Sequence, residues 1–293
     1  MRKDIEFKSQ GIRCSAFLYL PGEAQPGQRH PVIVMGHGFS GVKEMLEPHA
    51  NYFCGRGFAV VAFDYRFLGA SAGEPRSQIL PAEQIEDYRN AITFASLLPE
   101  VDAQRIGIWG TSMSGGHVIC VGALDRRVKC VACQVPLIEG MAMVPPEFRE
   151  AMLSEVAADR LQRYHTGAVN TMPIVAEDAR SCFFQDPDSY KILMTVKKVA
   201  APSWENQVTM ESIEKTLEYA PGLYLPRVAP TPFLMIVAEK DTLTPHDVAV
   251  SAFANAAEPK KLEILPCGHF EAYTVGFDQA AGAAADWFQR YLT

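Results

Sequence analysis

Arg105-Ile106-Gly107-Ile108-Trp109-Gly110-Thr111-Ser112-Met113-Ser114-Gly115-Gly116 constrains this chain more than any other stretch. Ile106, Ile108 and Trp109 form an apolar, β-prone run of the kind buried as a strand. The small residues that follow stop the strand before a helical pattern at residues 117–124. A strand, a sharp turn and a helix together can hold a serine in strained backbone geometry at the carboxyl edge of a sheet. Only small residues two places before and after such a serine let strand and helix approach closely. Gly110 and Ser114 occupy those places around Ser112. The pattern is G-x-S-x-S, so a second register, with Ser114 as nucleophile between Ser112 and Gly116, must be weighed. Ser112 is favoured because the strand ends naturally at Trp109-Gly110, whereas the Ser114 register carries it on to Met113. Gly115 and Gly116 are better used where the new helix crosses the sheet. Taken alone, the stretch reads better as a Ser- and Gly-rich strand-to-helix turn with no chemistry.

The surrounding pattern supplies a context. Runs at 5–8 and 15–20 flank Gln10-Gly11 and predict an opening hairpin, followed by a turn-rich link at 22–30. A continuous apolar run at 31–35 reads as a strand buried on both faces and ends in Gly36-His37-Gly38-Phe39-Ser40-Gly41. Helical periodicity at 43–54, a strand at 58–63, a glycine-bearing loop at 64–76 and a helix at 83–98 lead to the serine turn. A strand at 128–135 follows it. Alternating strands and helices predict a parallel sheet wound with helices on both faces. From 137 to 229 the rhythm breaks into helical patterns, such as 148–164 and 210–219, and predicts a mostly helical cap inserted into a core of 1–136 and 230–293. Six of the eleven methionines lie in this insertion (Met141, Met143, Met152, Met172, Met194 and Met210), which suits an adaptable apolar pocket lining or plain packing. A strand at 233–238, a helix at 247–257, a strand at 262–265 and an amphipathic helix at 279–291 complete the pattern.

A serine hydroxyl is a weak nucleophile at neutral pH and needs a base within reach and a third group to orient that base. In this strand order the acid and then the histidine should follow the serine, each in a loop at a strand's carboxyl end. Asp241 and His269 meet both conditions with Ser112. His246 and Asp247 are the positional rivals, but near neighbours in sequence rarely reach the required geometry, and Asp247 suits the first turn of a helix. Backbone N–H groups of Met113 and Phe39 are the candidates for an oxyanion hole, with Gly38 free to turn the loop inward.

Composition excludes several classes. The net charge of -7, with no Lys/Arg run longer than two, argues against a nucleic-acid surface. Charges at the start of the chain and the lack of a long apolar run predict no signal peptide, no membrane anchor and a cytoplasmic location. An odd number of cysteines inside apolar patterns predicts buried thiols. Cys130 and Cys133, three apart in a strand, should face opposite sides and make a poor metal pair.

Gly36-His37-Gly38-Phe39, Asp64-Tyr65-Arg66, Gly73-Glu74-Pro75-Arg76, the stretch from Trp109 to His117, Gln134-Val135-Pro136 and Gly268-His269-Phe270 together resemble the serine α/β-hydrolases. Within them the chain is most similar to the branch of fungal polyketide transferases and dienelactone-hydrolase-like proteins, where a serine two places after the nucleophile is usual. The resemblance implies an α/β-hydrolase fold with nucleophile Ser112, base His269 and acid Asp241. Glu271 stands where the branch often has Asp, and Cys267 where it often has Gly. The expected function is cleavage of a carboxylic ester or similarly activated acyl group on a hydrophobic small molecule, through an acyl-enzyme and with no metal or organic cofactor. Acyl transfer by the same residues, a silent binding protein of the same fold and a peptidase are the alternatives. No nucleic-acid or membrane partner is expected, and a homodimer is left open.

Overall fold

Gln10 and Gly11 both take positive φ, 49° and 87°. That is the two-residue turn whose twist matches paired strands. It joins β1 (Arg2–Ser9) to β2 (Ile12–Tyr19) in an antiparallel hairpin, with Ser9 opposite Ile12. The computed structural model describes residues 1–22, 27–178 and 181–293, the side chains of 187 and 188 excepted. Residues 23–26 of the expected 22–30 link and 179–180 of the expected cap lie outside the described residues.

Six parallel strands follow: β3 (His30–Gly36), β4 (Ala59–Phe63), β5 (Val101–Thr111), β6 (Val128–Gln134), β9 (Phe233–Ala238) and β10 (Lys260–Leu265). With the hairpin they form one sheet in the order β1-β2-β4-β3-β5-β6-β9-β10. Every residue of β3, β4 and β9 is buried, as a strand covered on both faces requires. Alternate side chains serve different layers. Val32 and Val34 pack in one layer with Tyr88 and Ile92 of α2 (Pro81–Ser96) and Val118 of α3 (Met113–Leu124). Ile33 and Met35 pack in the other with Phe53 of α1 (Glu47–Gly55) and Phe288 of α8 (Phe277–Leu292). Cys130 and Cys133 divide between the two layers in the same way.

Between β6 and β9 the described chain holds α4 (Arg149–Thr166), α5 (Pro187–Val199) and α6 (Met210–Leu217). It also holds an antiparallel ladder of two-residue strands, β7 (Thr171–Met172) and β8 (Val208–Thr209), which the sequence reading did not anticipate because two residues carry no period. The cap signals are local. Gly167 (φ +68°) closes α4, and the Asp186 and Thr209 side chains accept the Ser189 and Ser212 N–H groups at the starts of α5 and α6. Met152 and Met210 are core residues, whereas Met194 is exposed, so those three pack or face outward. The helix expected at 43–54 opens instead as a 3-10 turn, Lys43–Leu46. The α-helix starts beside Pro48, whose missing N–H costs nothing in a first turn. After β9, α7 (His246–Phe253) completes the helices.

The 64–76 loop is held by charge. Arg66 forks onto buried Asp87 at 2.9 and 2.7 Å, and Arg76 donates to the Ser71 and Gly69 carbonyls at 2.6 and 2.7 Å.

Two buried histidines make stability acid-sensitive. His49 stacks on Trp109 with ring centroids 4.6 Å apart; His117 lies between Gln84 Oε1 and Tyr219 Oη, both at 2.9 Å. Burial lowers their pKa values to about 4 and about 3. The unfolded chain therefore takes up these protons first. The stability contribution is whole above about pH 6.5 and is lost as pH falls toward those lower values. Urea unfolding at pH 5 is expected to show about 2 kcal/mol less stability per buried histidine than at pH 7. Equal stability at the two pH values would contradict this.

Candidate active site

Ser112 alone separates β5 from α3, with φ 53° and ψ -118°. A side chain in that region costs roughly 1–3 kcal/mol and persists only where its surroundings over-determine it. Here they do. The Ser112 N–H donates to the Gln134 carbonyl at 2.9 Å, and the Ser112 carbonyl accepts from Leu137 N–H at 2.8 Å. A Cβ on Gly110 would lie 2.1 Å from the Ser114 carbonyl oxygen, and one on Gly115 would lie 2.7 Å from Pro136 Cα. Both positions are therefore closed to any side chain, the close approach expected of this turn. Gly38 packs against the same serine: its Cβ would be 3.1 Å from Ser112 Cβ. The loop bearing Phe39 and the first N–H of α3, on Met113, thus flank Ser112, and the first amides of a helix have no partner within it.

The other two candidates lie at the carboxyl ends of β9 and β10. His269 Nδ1 is 2.7 Å from Asp241 Oδ2. Asp241 Oδ1 accepts N–H groups from Leu243 at 2.9 Å and Thr244 at 2.8 Å. This leaves Oδ2 for the ring and for the Thr244 hydroxyl at 2.9 Å. With Nδ1–H directed to the carboxylate, Nε2 is the nitrogen free to accept a proton. All three candidates are nearly buried, with 6 %, 6 % and 7 % exposure for Ser112, Asp241 and His269. Asp241 and His269 are brought into direct contact. Ser112 makes no hydrogen bond to His269 among the described residues and is joined to that pair through two relays.

Sequence reasoning missed both relays. Thr244 Oγ1 lies 3.1 Å from the Val135 carbonyl and 3.2 Å from His269 Nδ1, and so links the acid and base to the segment that holds Ser112. Tyr273 Oη is 2.5 Å from Thr111 Oγ1, one residue before Ser112, and its ring centroid is 6.1 Å from that of His269. Burial pushes the Tyr273 pKa up, so the phenol keeps its proton. The available signals were a threonine three residues past the acid and a tyrosine four past the base, both too common to stand out.

The rivals sit elsewhere. Asp247 is an exposed residue in the first turn of α7, and His246 Nδ1 has no partner among the described residues. Ser114 is fully buried, with its hydroxyl engaged by the His37 carbonyl and Tyr65. Phe39 packs on Phe183 and Phe184, with centroids 4.9 and 5.4 Å away, so residues from between β6 and β9 cover the Phe39 loop. No group of three or more His, Cys, Asp or Glu suited to a metal occurs among the described residues, and no helix there is long and apolar enough to cross a membrane.

A family described as the alpha/beta hydrolase fold matches residues 31–274. The chain belongs to this family. Among related sequences, the quorum-quenching protein AidA of Acinetobacter baumannii is 30% identical over 99% of this chain and 95% of its own length. A thiohydrolase of Eupenicillium brefeldianum is 30% identical over 90% and 85%. The crystal structure of the α/β-hydrolase GrgF from Penicillium superimposes with a TM-score of 0.86 at 26% identity, covering 100% of this chain and 99% of that one.

Proposed function

We propose that this α/β-hydrolase cleaves a carboxylic ester or a similarly activated acyl bond through an acyl-enzyme on Ser112. The observation that carries the proposal is the 2.7 Å contact between His269 Nδ1 and Asp241 Oδ2 at the sheet edge where Ser112 stands strained. In the proposed reaction the Ser112 oxygen attacks the acyl carbon while His269 Nε2 takes its proton. His269 then returns that proton to the departing alcohol or thiol, and water repeats the sequence to free the acid. Asp241 holds the imidazole in the required tautomer. The N–H groups of Phe39 and Met113 face the oxygen that becomes negative.

Residues 137–229 would act as a cap over this edge, and the aromatic trio of Phe39, Phe183 and Phe184 favours a hydrophobic acyl or alcohol group. Acyl transfer is the second reading, favoured by similarity to GrgF, a polyketide transferase. It differs only in which nucleophile meets the acyl-enzyme. The relatives named thiohydrolases place thioesters among the acyl groups to be tried.

A fluorophosphonate probe is expected to label the folded protein and to fail on Ser112→Ala. Labelling that survives Ser112→Ala would refute the nucleophile, and folded wild type that never labels would refute the enzyme. Matched p-nitrophenyl esters, thioesters and anilides, each with and without a competing alcohol, would then rank hydrolysis against transfer and peptidase activity.

A further inference from the structure

We infer that Ser114, held in turn by Tyr65, is a positioning residue that sets the direction of the Phe39 N–H; the inference rests on the acyl-enzyme reading above. In the sheet β3 and β5 are neighbours with Gly36 opposite Gly110, so the loop after β3 and the serine turn after β5 emerge side by side. Ser114 is the second residue of α3, so no carbonyl of its own helix lies a turn behind it for its hydroxyl to meet. Ser114 instead donates across the gap to the carbonyl of His37. Tyr65 Oη lies 2.6 Å from Ser114 Oγ and donates to it, its own pKa pushed up by burial so that it keeps the proton. Gly36 makes room for the pair: a Cβ there would sit 2.2 Å from Tyr65 Oη and 2.9 Å from Ser114 Oγ.

The His37 carbonyl belongs to the peptide that enters Gly38, and the Phe39 N–H to the peptide that leaves it. Gly38 is the freely turning residue between them, so the Phe39 amide has a fixed direction only if both peptides are held. Gly41 N–H at 3.1 Å and His37 Nδ1 at 2.9 Å hold the second through the Gly38 carbonyl. Among the described side chains, Ser114 is the one that holds the first. From the other side Trp204 Nε1 donates to Ser40 Oγ at 3.3 Å. A glycine at position 114, as in the G-x-S-x-G form of this turn, brings no hydroxyl to that carbonyl. The second serine of G-x-S-x-S thus acts on the oxyanion hole through the loop.

The test uses the full chain with Ser114→Ala, Tyr65→Phe and the double variant. For each, p-nitrophenyl ester kinetics, inhibition by an alkylboronic acid that mimics the tetrahedral intermediate, and hydrogen exchange of residues 36–42 are measured. Displacing an oxyanion donor by a fraction of an ångström to 1 Å lowers kcat by about 10- to 100-fold. The expected result is a loss of that size in kcat for Ser114→Ala, with KM within about threefold. Boronate affinity is expected to fall in parallel and the loop amides to exchange faster. Tyr65→Phe should move the same quantities in the same direction, and the double variant should be no worse than Ser114→Ala, since the two act in series. Should Ser114→Ala not fold, Tyr65→Phe carries the same comparison. Full kcat in a folded Ser114→Ala, or a loss confined to KM, overturns the inference while leaving the Ser112 reading intact. Wild type that neither labels with fluorophosphonate nor turns over any acyl substrate overturns both.

Discussion

Ser112→Ala is expected to reduce turnover of an activated acyl substrate by about a millionfold, and His269→Ala by a similar factor. Asp241→Asn should cost about 10⁴-fold, because the amide can donate to Nδ1 and stabilise the wrong tautomer. The three losses should not add. Once Ser112 is gone there is no hydroxyl proton for His269 to take, so Ser112→Ala/His269→Ala is expected to match the single variants. What remains is the contribution of binding and of the Phe39 and Met113 N–H groups, and it should no longer respond to a boronic acid, whose boron becomes tetrahedral by bonding the Ser112 oxygen. The measurement is kcat/KM for the best ester or thioester on purified folded protein. A Ser112→Ala variant that keeps one hundredth or more of the wild-type rate removes the proposed mechanism. Additive losses in the double variant would place the two residues in separate roles.

Asp64→Asn is expected to destabilise the fold by about 3–5 kcal/mol. Asp64 is wholly buried, and its carboxylate accepts from Lys43 Nζ at 2.8 Å, Lys43 N–H at 2.6 Å and Ala70 N–H at 2.9 Å. The amide keeps the shape but removes the charge that balances Lys43, itself 3 % exposed, and presents an NH₂ where donors already converge. The buried ammonium then keeps only Glu44, at 3.2 Å, and loses the wholly buried carboxylate at 2.8 Å. The surface pair Arg2–Glu47, at 3.4 Å with both side chains 44% exposed, provides the contrast. Arg2→Ala should change stability by less than about 1 kcal/mol. Urea unfolding of the two variants checks both values. A loss below about 1 kcal/mol for Asp64→Asn would mean that the existing Glu44 contact already balances Lys43. Adding Lys43→Met to Asp64→Asn is expected to recover part of the loss, since it removes the unbalanced ammonium while the amide oxygen at 64 still accepts the backbone N–H of residue 43.

Local pattern revealed much of this chain. Buried strands such as 31–35 and 233–238 were legible because both faces of a parallel strand want apolar residues, and the signal needs no distant partner. Gln10-Gly11 was legible as a two-residue hairpin turn that needs positive φ, and Gly110 because any Cβ there would meet the Ser114 carbonyl oxygen. The β7–β8 ladder was not legible, since two-residue strands exist only through each other. The relay residues Thr244 and Tyr273 were hidden for a related reason: nothing distinguishes a threonine or a tyrosine until the carbonyl or hydroxyl it meets is known.

The succession of strands and helices, the serine turn and the candidates Ser112, Asp241 and His269 were determined by residue type and spacing along the chain, whereas the order of strands in the sheet was not. The tertiary structure alone brought His269 Nδ1 to Asp241 and engaged the Ser114 hydroxyl with His37 and Tyr65. It also converted the charges of the 64–76 loop into buried pairs. The division follows from range. Backbone conformation and burial are dictated within a few residues, whereas a polar side chain acquires its role only from the groups, remote in sequence, that must satisfy it once water is removed.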